Sequence, residues 1–178
     1  MQLLKGGNIK FDEWCLLLKV DVIQSGKGRI EMTIINCFDG KYAFLNNFSN
    51  SPIAFNGKTW STVEHIFQAA KTLDEDICEE IRIASTPDKA KRIGRMVRLR
   101  PDWEEMKKEV MLKSIRLKFS QNSELKEKLL KTEDAILVEG NTWHDNIWGD
   151  CNCQKCQETE GRNLLGKILM QVRRELAE

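Results

Sequence analysis

The sequence has no long apolar segment and almost no excess of charge of either sign. Its longest purely apolar run is only a few residues, whereas a membrane-spanning helix needs about 20. The N-terminus lacks a basic region followed by an apolar stretch, so no signal peptide is expected and a cytoplasmic location is the default. The net charge is +1, from 28 basic and 27 acidic residues. This balance argues against binding nucleic acid by bulk electrostatics, so any such contact must be a local site.

The composition is that of an ordinary globular protein, and the sequence pattern indicates many helices and few strands. Of the 178 residues, 41% are hydrophobic and 31% are charged, which fits one domain with its own core. Capping residues, helix-initiating prolines and apolar positions at helical spacing recur along the chain. We therefore predict a helix-rich α+β fold in a single domain. The predicted strands are 33–38, 52–55 and 135–139, and the predicted helices begin near residues 61, 86, 101, 123 and 163.

The first 31 residues differ in character from the rest of the chain. They contain one short apolar run, 14–20, and a loose stretch, 24–29, and a clear strand pattern starts only after Met32. Residues 27–32 can be encoded by a purine-rich ribosome-binding sequence placed before a start codon. We therefore expect residues 1–31 to be an N-terminal extension upstream of the natural start, and 32–178 to be the domain.

Three cysteines form a Cys-x-Cys-x-x-Cys pattern at Cys151, Cys153 and Cys156. The spacing is tight enough for zinc, but a structural zinc site needs four ligands. His144 or a more distant cysteine could be the fourth ligand, and the sequence does not decide between them. Free thiols and no bound metal are therefore the prediction, and a zinc-stapled interaction protein is the alternative.

A polar row is expected on the helix that follows Trp60. Glu64, Gln68 and Lys71 stand at i, i+4 and i+7, which places them on one face. A carboxylate, an amide and an ammonium in one row could bind a ribose and a phosphate. In the alternative interpretation, which the sequence alone favours, Glu64 completes a capping box begun at Ser61 and the row is a solvated surface. His65 lies off the row, and a structural role is predicted for it.

The loop 139–149 follows an apolar strand and combines aromatic and acidic residues. Trp143 and Trp148 flank Asp145, and aromatic faces of this kind can stack on a planar base. The alternative is that a tryptophan anchors the loop to the core.

Two further features could bind phosphate. One is Asn163, which can cap the last helix beside free backbone N–H groups, and Gly166 within that helix indicates a close approach of backbone or ligand. The other is a basic cluster, which is either a phosphate-binding wall or a solvated helix face. The cluster comprises Lys89, Lys91, Arg92, Arg95, Arg98 and Arg100.

Several motifs occur in one order along most of the chain. They are Phe44-Leu45-Asn46-Asn47-Phe48, Gly57-x-x-Trp60, Glu64-His65-x-Phe67-Gln68-Ala69-x-Lys71, Arg100-x-Asp102-Trp103, Lys118-Phe119, Trp143-x-Asp145-x-x-Trp148-Gly149 and Gly161-x-Asn163-x-Leu165-Gly166. On these motifs, the sequence from Phe38 to Arg173 resembles the NADAR family, also called YbiA-like. It departs from the family pattern at Asn46, where serine is usual, and at Phe67, where tyrosine is common.

The resemblance implies a helix-rich α+β fold and an N-glycosidase that needs no metal or cofactor. The implied substrate is ADP-ribosylated guanine in nucleic acid. A phosphoribosylamino intermediate of riboflavin synthesis is the nearest alternative, and a non-catalytic module that binds ADP-ribose or NAD is a third. The oligomeric state stays open, and no membrane partner is expected.

The resemblance also implies the site residues. It makes Glu64, Asp145 and Trp103 catalytic. Cleavage of a ribosyl C–N bond passes through an oxocarbenium-like state, so one carboxylate would stabilise that charge and the other would activate water. Trp103 would stack on the base or the ribose, and Lys71 or Lys118 would contact phosphate or assist the leaving group. The predicted substrate-binding residues are Asn47, Phe48, Gln68, Lys71, Lys118, Trp148, Gly149 and Asn163.

Overall fold

A computed structural model of the protein describes residues 17–24 and 27–178, with side chains described from residue 32 onward. The chain divides into two compact units. The first unit contains the chain through Ala43 together with Lys131–Arg174, and the second contains Phe44–Leu130 with Glu175–Glu178. Helices predominate and the strands are mostly short, which confirms the predicted helix-rich α+β class. Within the described ranges, no helix has the length and apolarity needed to cross a membrane.

The first unit is built on a three-stranded sheet of order β1-β2-β5. β1 (Leu17–Gln24) pairs antiparallel with β2 (Lys27–Ile35), and β5 (Ile136–Leu137) pairs parallel with β2. β2 overlaps the predicted strand 33–38, but it begins and ends earlier. The proposed boundary at Met32 falls inside β2, and the natural start at that residue stays a prediction. Residues 1–16 of the proposed extension lie outside the described residues.

A second strand pair and the last helix complete the first unit. β6 (Gly140–Asn141) pairs parallel with β7 (Asp150–Cys151), so the two ends of the loop between them are held side by side. The last helix, α6 (Leu164–Ala177), contains Gly166, where an added Cβ would lie 2.1 Å from the Leu137 carbonyl oxygen. The close approach predicted for Gly166 is therefore confirmed, and the partner is the backbone of β5.

The second unit opens with a hairpin and continues with helices. β3 (Ile53–Phe55) pairs antiparallel with β4 (Lys58–Trp60) across the turn at Asn56 and Gly57, whose φ values are 50° and 71°. Positive φ at both central residues is the requirement of the turn that joins such short hairpins, and Asn-Gly satisfies it at low cost. The helices are α1 (Val63–Ala69), α2 (Glu75–Arg82), α3 (Pro87–Gly94), α4 (Trp103–Gln121) and α5 (Ser123–Leu130).

Two features of these helices differ from what the sequence pattern indicates. Helix α2 was not predicted, because its sequence is mostly charged and Ile81 is its one buried residue. Apolar residues at helical spacing after Trp60 (Val63, Ile66, Phe67, Ala70 and Leu73) predict one core face that includes Leu73, but α1 ends at Ala69 and the Leu73 side chain is 68% exposed. The long helix α4 does bury the predicted stripe that contains Met111, Ile115 and Phe119.

Candidate functional site

The start of α1 is organised by a threonine and a histidine. Thr62 is the N-cap, and its Oγ1 accepts a hydrogen bond from the His65 backbone N–H at 3.3 Å. The His65 ring is buried, with Nδ1 2.8 Å from Thr62 Oγ1 and Nε2 3.0 Å from the Ala84 carbonyl oxygen. The structural role predicted for His65 is confirmed. The capping box predicted from Ser61 to Glu64 was wrong, because the cap lies one residue later and Glu64 is not used for it.

The polar row on α1 is buried rather than solvated. Glu64 is 5% exposed and Gln68 is 3% exposed. Gln68 Nε2 donates a hydrogen bond to Glu64 Oε1 at 2.7 Å. The interpretation that the sequence alone favoured, a solvated helix face, was therefore wrong. Glu64 is a buried carboxylate with an oriented amide partner.

Cations surround this carboxylate. Burial raises the pKa of Glu64 above its ordinary value, and the Gln68 hydrogen bond and the charges of Lys91, Lys71 and Arg95 oppose that rise. Burial in turn lowers the pKa of Lys71, and Glu64 opposes that fall. Lys91 and Arg95 were predicted only as members of a basic cluster on a wall or a solvated face. The structure brings them into the electrostatic environment of Glu64.

Gly94 at the end of α3 allows this arrangement, and sequence reasoning did not identify it as a site residue. A Cβ at position 94 would lie 2.2 Å from Gln68 Oε1 and 2.8 Å from Gln68 Cβ, so any side chain there would displace the amide. The available signal was a glycine inside a helical pattern, which indicates a close approach. Within the described part of the chain, the buried atoms Gln68 Oε1 and Asn47 Oδ1 have no hydrogen-bond partner. Both are acceptors that a ribose hydroxyl could satisfy.

The loop before β3 lies beside Glu64. The Glu64 backbone N–H donates to the Asn47 carbonyl oxygen at 3.1 Å, which ties the loop to the first turn of α1. Asn47 Nδ2 lies 3.5 Å from Met111 Sδ, and Lys91 Nζ lies 5.1 Å from the centroid of the Phe48 ring. The predicted substrate-binding residues Asn47 and Phe48 therefore lie beside Glu64 and one of its cations.

Lys118 holds this loop through hydrogen bonds from its side-chain amine. Its side chain is fully buried, and Nζ donates to the Asn46 carbonyl oxygen at 2.9 Å and to Ser49 Oγ at 2.7 Å. Burial lowers the pKa of Lys118 to about 7. The predicted contact with phosphate stays a prediction. The observed hydrogen bonds favour a role in positioning the loop.

Because the Lys118 amine is buried, the free energy of unfolding should change with pH in the neutral to alkaline range. Below pH about 7 the folded and unfolded chains both hold the Lys118 proton. Between about 7 and the unfolded value of about 10.4, only the unfolded chain holds it, so the free energy of unfolding rises with pH. Relative to a Lys118→Met variant, we expect this free energy to rise by at most about 1.4 kcal/mol per pH unit. Urea unfolding at several pH values measures it.

The matched control for this experiment is Lys108→Met, which changes an exposed lysine on the same helix. The free energy of unfolding of this variant should change with pH in the same way as that of the wild type. If the difference between the wild type and Lys118→Met does not change across the range, Lys118 stays charged when folded and the expectation is wrong.

Trp103 packs beside the row rather than lying open. It is 6% exposed, and its ring contacts Phe67 with the centroids 5.1 Å apart and an angle of 60° between the planes. Phe67 thus contributes an apolar ring to this aromatic pair. Stacking of Trp103 on a substrate stays a prediction, and only a small part of its surface is available for it.

A cavity of about 590 Å³ in the second unit lies on the other face of α1. Ile66, Ala69 and Ala70 contribute to its lining, together with Val110 of α4. None of the predicted site residues lines it. The assignment of the site therefore rests on the Glu64 row and not on this cavity.

Asp145 in the first unit shapes its own loop. Its Oδ1 accepts hydrogen bonds from the backbone N–H groups of Ile147 at 2.9 Å and Trp148 at 2.8 Å. Asn141 clamps the same turn, because its Nδ2 donates to the Asp145 carbonyl oxygen at 2.7 Å. Trp143 is 59% exposed and Trp148 is half-buried. The tryptophan better placed for stacking on a partner is thus Trp143.

Gly149 and Asn163 support the backbone of the first unit. A Cβ at Gly149 would lie 2.2 Å from the Glu139 carbonyl oxygen. Asn163 Oδ1 accepts from the Glu139 N–H at 3.0 Å, and its Nδ2 donates to the Leu137 carbonyl oxygen at 2.8 Å. Both ends of this amide, which was predicted to cap α6 and contact substrate, hold the strand that precedes the Asp145 loop.

The predicted site residues fall into two groups. The second unit holds Asn47, Phe48, Glu64, Gln68, Lys71, Trp103 and Lys118. The first unit holds Asp145, Trp148, Gly149 and Asn163. Joint action of Glu64 and Asp145 stays a prediction.

Comparison with known proteins gives consistent matches. Residues 36–177 match the NADAR domain family. The chain is 46% identical over 149 residues to N-glycosidase YbiA of Escherichia coli (strain K12), covering 82% of this chain and 89% of that protein. It is 39% identical over 152 residues to riboflavin biosynthesis protein PYRR, chloroplastic, of Zea mays, covering 76% of this chain and 23% of that protein. The NMR structure of the E. coli protein YbiA is similar with a TM-score of 0.70 and 44% identity, covering 79% of this chain and 83% of that chain.

Proposed function

Because the chain belongs to the NADAR domain family and is an N-glycosidase, we propose that its substrate is ADP-ribosylated guanine in nucleic acid. The enzyme hydrolyses the bond between the ribose and the guanine nitrogen and releases ADP-ribose. A role in reversing such a modification follows from this reaction.

The observation that carries the proposal is the buried carboxylate of Glu64 among cations. A substrate that presents a diphosphate and a ribose offers negative charge to the cations and hydroxyl donors to nearby acceptors. Lys71, Lys91 and Arg95 supply the positive charge, and the unpartnered Gln68 Oε1 is an acceptor beside the carboxylate. The net charge of the chain is only +1, so this local cluster, and not a general attraction, would bind the phosphates.

In the proposed reaction, the oxygen of a water molecule attacks the anomeric carbon of the ribose as the C–N bond breaks. One proton of that water reaches the departing nitrogen, and the other stays on the new hydroxyl. Positive charge develops on the ribose, and the buried carboxylate of Glu64, when ionised, stabilises it. Asp145 is the proposed base that activates the water. Burial raises the pKa of Glu64, and the Gln68 hydrogen bond and the nearby cations oppose that rise and so favour the ionised form that this role requires.

A second candidate substrate is the phosphoribosylamino intermediate of riboflavin synthesis. It is favoured by the similarity to a riboflavin biosynthesis protein of Zea mays, of which this chain matches 23%. The same carboxylate and cations could bind a ribose with a single phosphate. The exposed indole of Trp143, at 59%, favours the larger substrate, because it offers a stacking surface that a small intermediate does not need.

The test is incubation of the full chain with a guanine-ADP-ribosylated DNA oligonucleotide in water labelled with heavy oxygen. We expect mass spectrometry to show free ADP-ribose carrying one labelled oxygen and an oligonucleotide with unmodified guanine. The riboflavin intermediate is assayed in parallel, and Asp145→Ala is the inactive control.

The outcomes distinguish between the two candidate substrates. Release from the oligonucleotide by the wild type alone supports the proposal. If folded wild-type protein hydrolyses the riboflavin intermediate and leaves the oligonucleotide unchanged, the second candidate replaces it. Turnover of neither substrate, from protein with a cooperative thermal transition, contradicts both.

A further inference from the structure

We propose that His144, Cys151, Cys153 and Cys156 form a structural zinc site in the first unit. The four side chains each offer one ligand atom, and these atoms all lie within 4.8 Å of one another. His144 Nδ1 lies 3.1 Å from Cys153 Sγ and 3.5 Å from Cys156 Sγ. A tetrahedral site with Zn–S bonds of about 2.3 Å and a Zn–N bond of about 2.0 Å needs S···S separations of about 3.8 Å and S···N separations of about 3.5 Å. The cluster therefore needs only small shifts to bind the ion.

The fold brings these ligands together from three short elements. Cys151 is the second residue of β7 and is buried. Cys153 directly precedes a single turn of 3₁₀ helix, Gln154–Cys156, and Cys156 is the last residue of that turn; the Cys156 N–H donates to the Cys153 carbonyl oxygen at 2.9 Å. His144 comes from the loop between β6 and β7. The sequence alone favoured free thiols because the fourth ligand was open, and His144 lies where that ligand is needed.

The backbone at His144 is arranged for this contact. Its φ is 67°, in the left-handed region that residues with a side chain rarely adopt unless their surroundings hold them there. This conformation directs the imidazole towards the thiols. Cys151 is positioned in turn by its backbone N–H, which donates to Asn146 Oδ1 at 2.9 Å. The ligands are thus fixed by the fold of the loop and not only by their spacing in sequence.

The ligand set selects the metal. Three sulfur ligands and one imidazole are a closed tetrahedral set, typical of structural zinc rather than of calcium or magnesium, which prefer oxygen. Binding converts the three thiols to thiolates and releases their three protons, and His144 ligates as neutral imidazole through Nδ1. No ligand position is left for water, so the metal takes no part in hydrolysis.

The zinc site would stabilise the loop that carries Asp145. Asp145 directly follows His144, and β7 bears Cys151 at the other end of the same loop. A metal bound to both ends cross-links the chain around the turn that Asp145 Oδ1 makes with Ile147 and Trp148. The proposed function does not depend on this site, and the site can be tested without substrate.

The test is the metal content of the full chain purified under a thiol reductant that does not bind metals. Inductively coupled plasma mass spectrometry should find about one zinc per chain. Cobalt substituted for zinc should show the visible bands of tetrahedral coordination and thiolate-to-metal charge transfer. His144→Ala and Cys153→Ser should each lower the zinc affinity by more than about 10-fold, measured by competition with a chromophoric chelator. Cys78→Ser, a half-buried cysteine of the second unit, is the matched control and should keep the zinc.

Two results would overturn the proposal. One is folded wild-type protein that holds no zinc and takes up none from a zinc solution. The other is zinc affinity in His144→Ala and Cys153→Ser equal to that of the wild type, because the metal would then be bound elsewhere. If a single variant fails to fold, the other variant and the cobalt spectrum of the wild type still decide.

Discussion

Glu64→Gln is expected to lower kcat for the N-glycosidase reaction by about 10²- to 10⁴-fold, the range for removing a group that acts in the transition state. The substitution removes the charge and keeps the shape. In the wild type, Gln68 Nε2 donates to Glu64 Oε1. In the variant, it can donate equally to an amide oxygen at the same position. Because burial disfavours the ionised carboxylate, replacing it with a neutral amide should not lower the free energy of unfolding. The measurements are steady-state kinetics on the substrate that the wild type turns over, and urea unfolding.

The control is Glu80→Gln, which makes the same chemical change at an exposed position on α2. It should leave both kcat and stability unchanged. Glu64→Gln with wild-type kcat would remove Glu64 from the catalytic residues. Loss of activity together with loss of the thermal transition would instead show that the carboxylate is structural.

Asp145→Asn and Asp145→Ala are expected to lower kcat to a similar extent, by at least about 10²-fold. The two variants separate two roles of Asp145, which are activating the water through its charge and holding the turn of its loop through hydrogen bonds. Asparagine keeps an oxygen that can accept the N–H groups of Ile147 and Trp148, so it retains the turn and loses only the charge. Alanine loses both. If the ionised carboxylate is the base that activates water, its charge is essential and the asparagine variant cannot restore turnover.

One outcome would contradict the assignment of Asp145 as the base that activates the water. If Asp145→Asn has wild-type kcat and Asp145→Ala does not, Asp145 holds the loop and another group activates the water. The comparison should be made on protein with its metal content measured, because Asp145 neighbours His144. Asp134→Asn, an exposed carboxylate of the first unit, is the matched control and should retain full activity.

Local sequence rules predicted the features whose physics is contained within a few neighbouring residues. Thr86 caps α3 through its Oγ1, which accepts the Lys89 N–H at 3.1 Å, and Pro87 takes the first helical position. The Asn56-Gly57 turn is of the same kind, because φ preference is a property of the residue itself. The structural role of His65 followed from its position off the polar row of α1.

The features that sequence reasoning missed depend on contacts between distant segments. Glu64 and Gln68 lie on the polar face of α1, so helical periodicity placed them in solvent. They are buried because Gly94 lets another helix approach the Gln68 side chain, and no local pattern on α1 encodes that approach. His144 was ambiguous as a ligand for the same reason. Its distance from Cys153 is set by how the loop folds, and counting residues does not determine it.

The motif match carried information that these rules lack. It placed Trp103 and Glu64 in one site although they lie on different helices, and the structure joins them through Phe67, which packs against Trp103 one turn along α1 from Glu64. It also assigned Gly149 and Asn163 to substrate binding, which stays a prediction, and their described contacts include the backbone of 137–139.

The exposed indole of Trp143 gives the protein a built-in optical reporter. Trp60 and Trp103 are 8% and 6% exposed, so their fluorescence belongs to the packed interior of the second unit, whereas Trp143 is 59% exposed. Among the tryptophans that the structure describes, a water-soluble quencher such as acrylamide will therefore act most strongly on Trp143, and less on the half-buried Trp148. The loop can be followed in solution without attaching a dye, and ligands that cover it become visible as protection from the quencher.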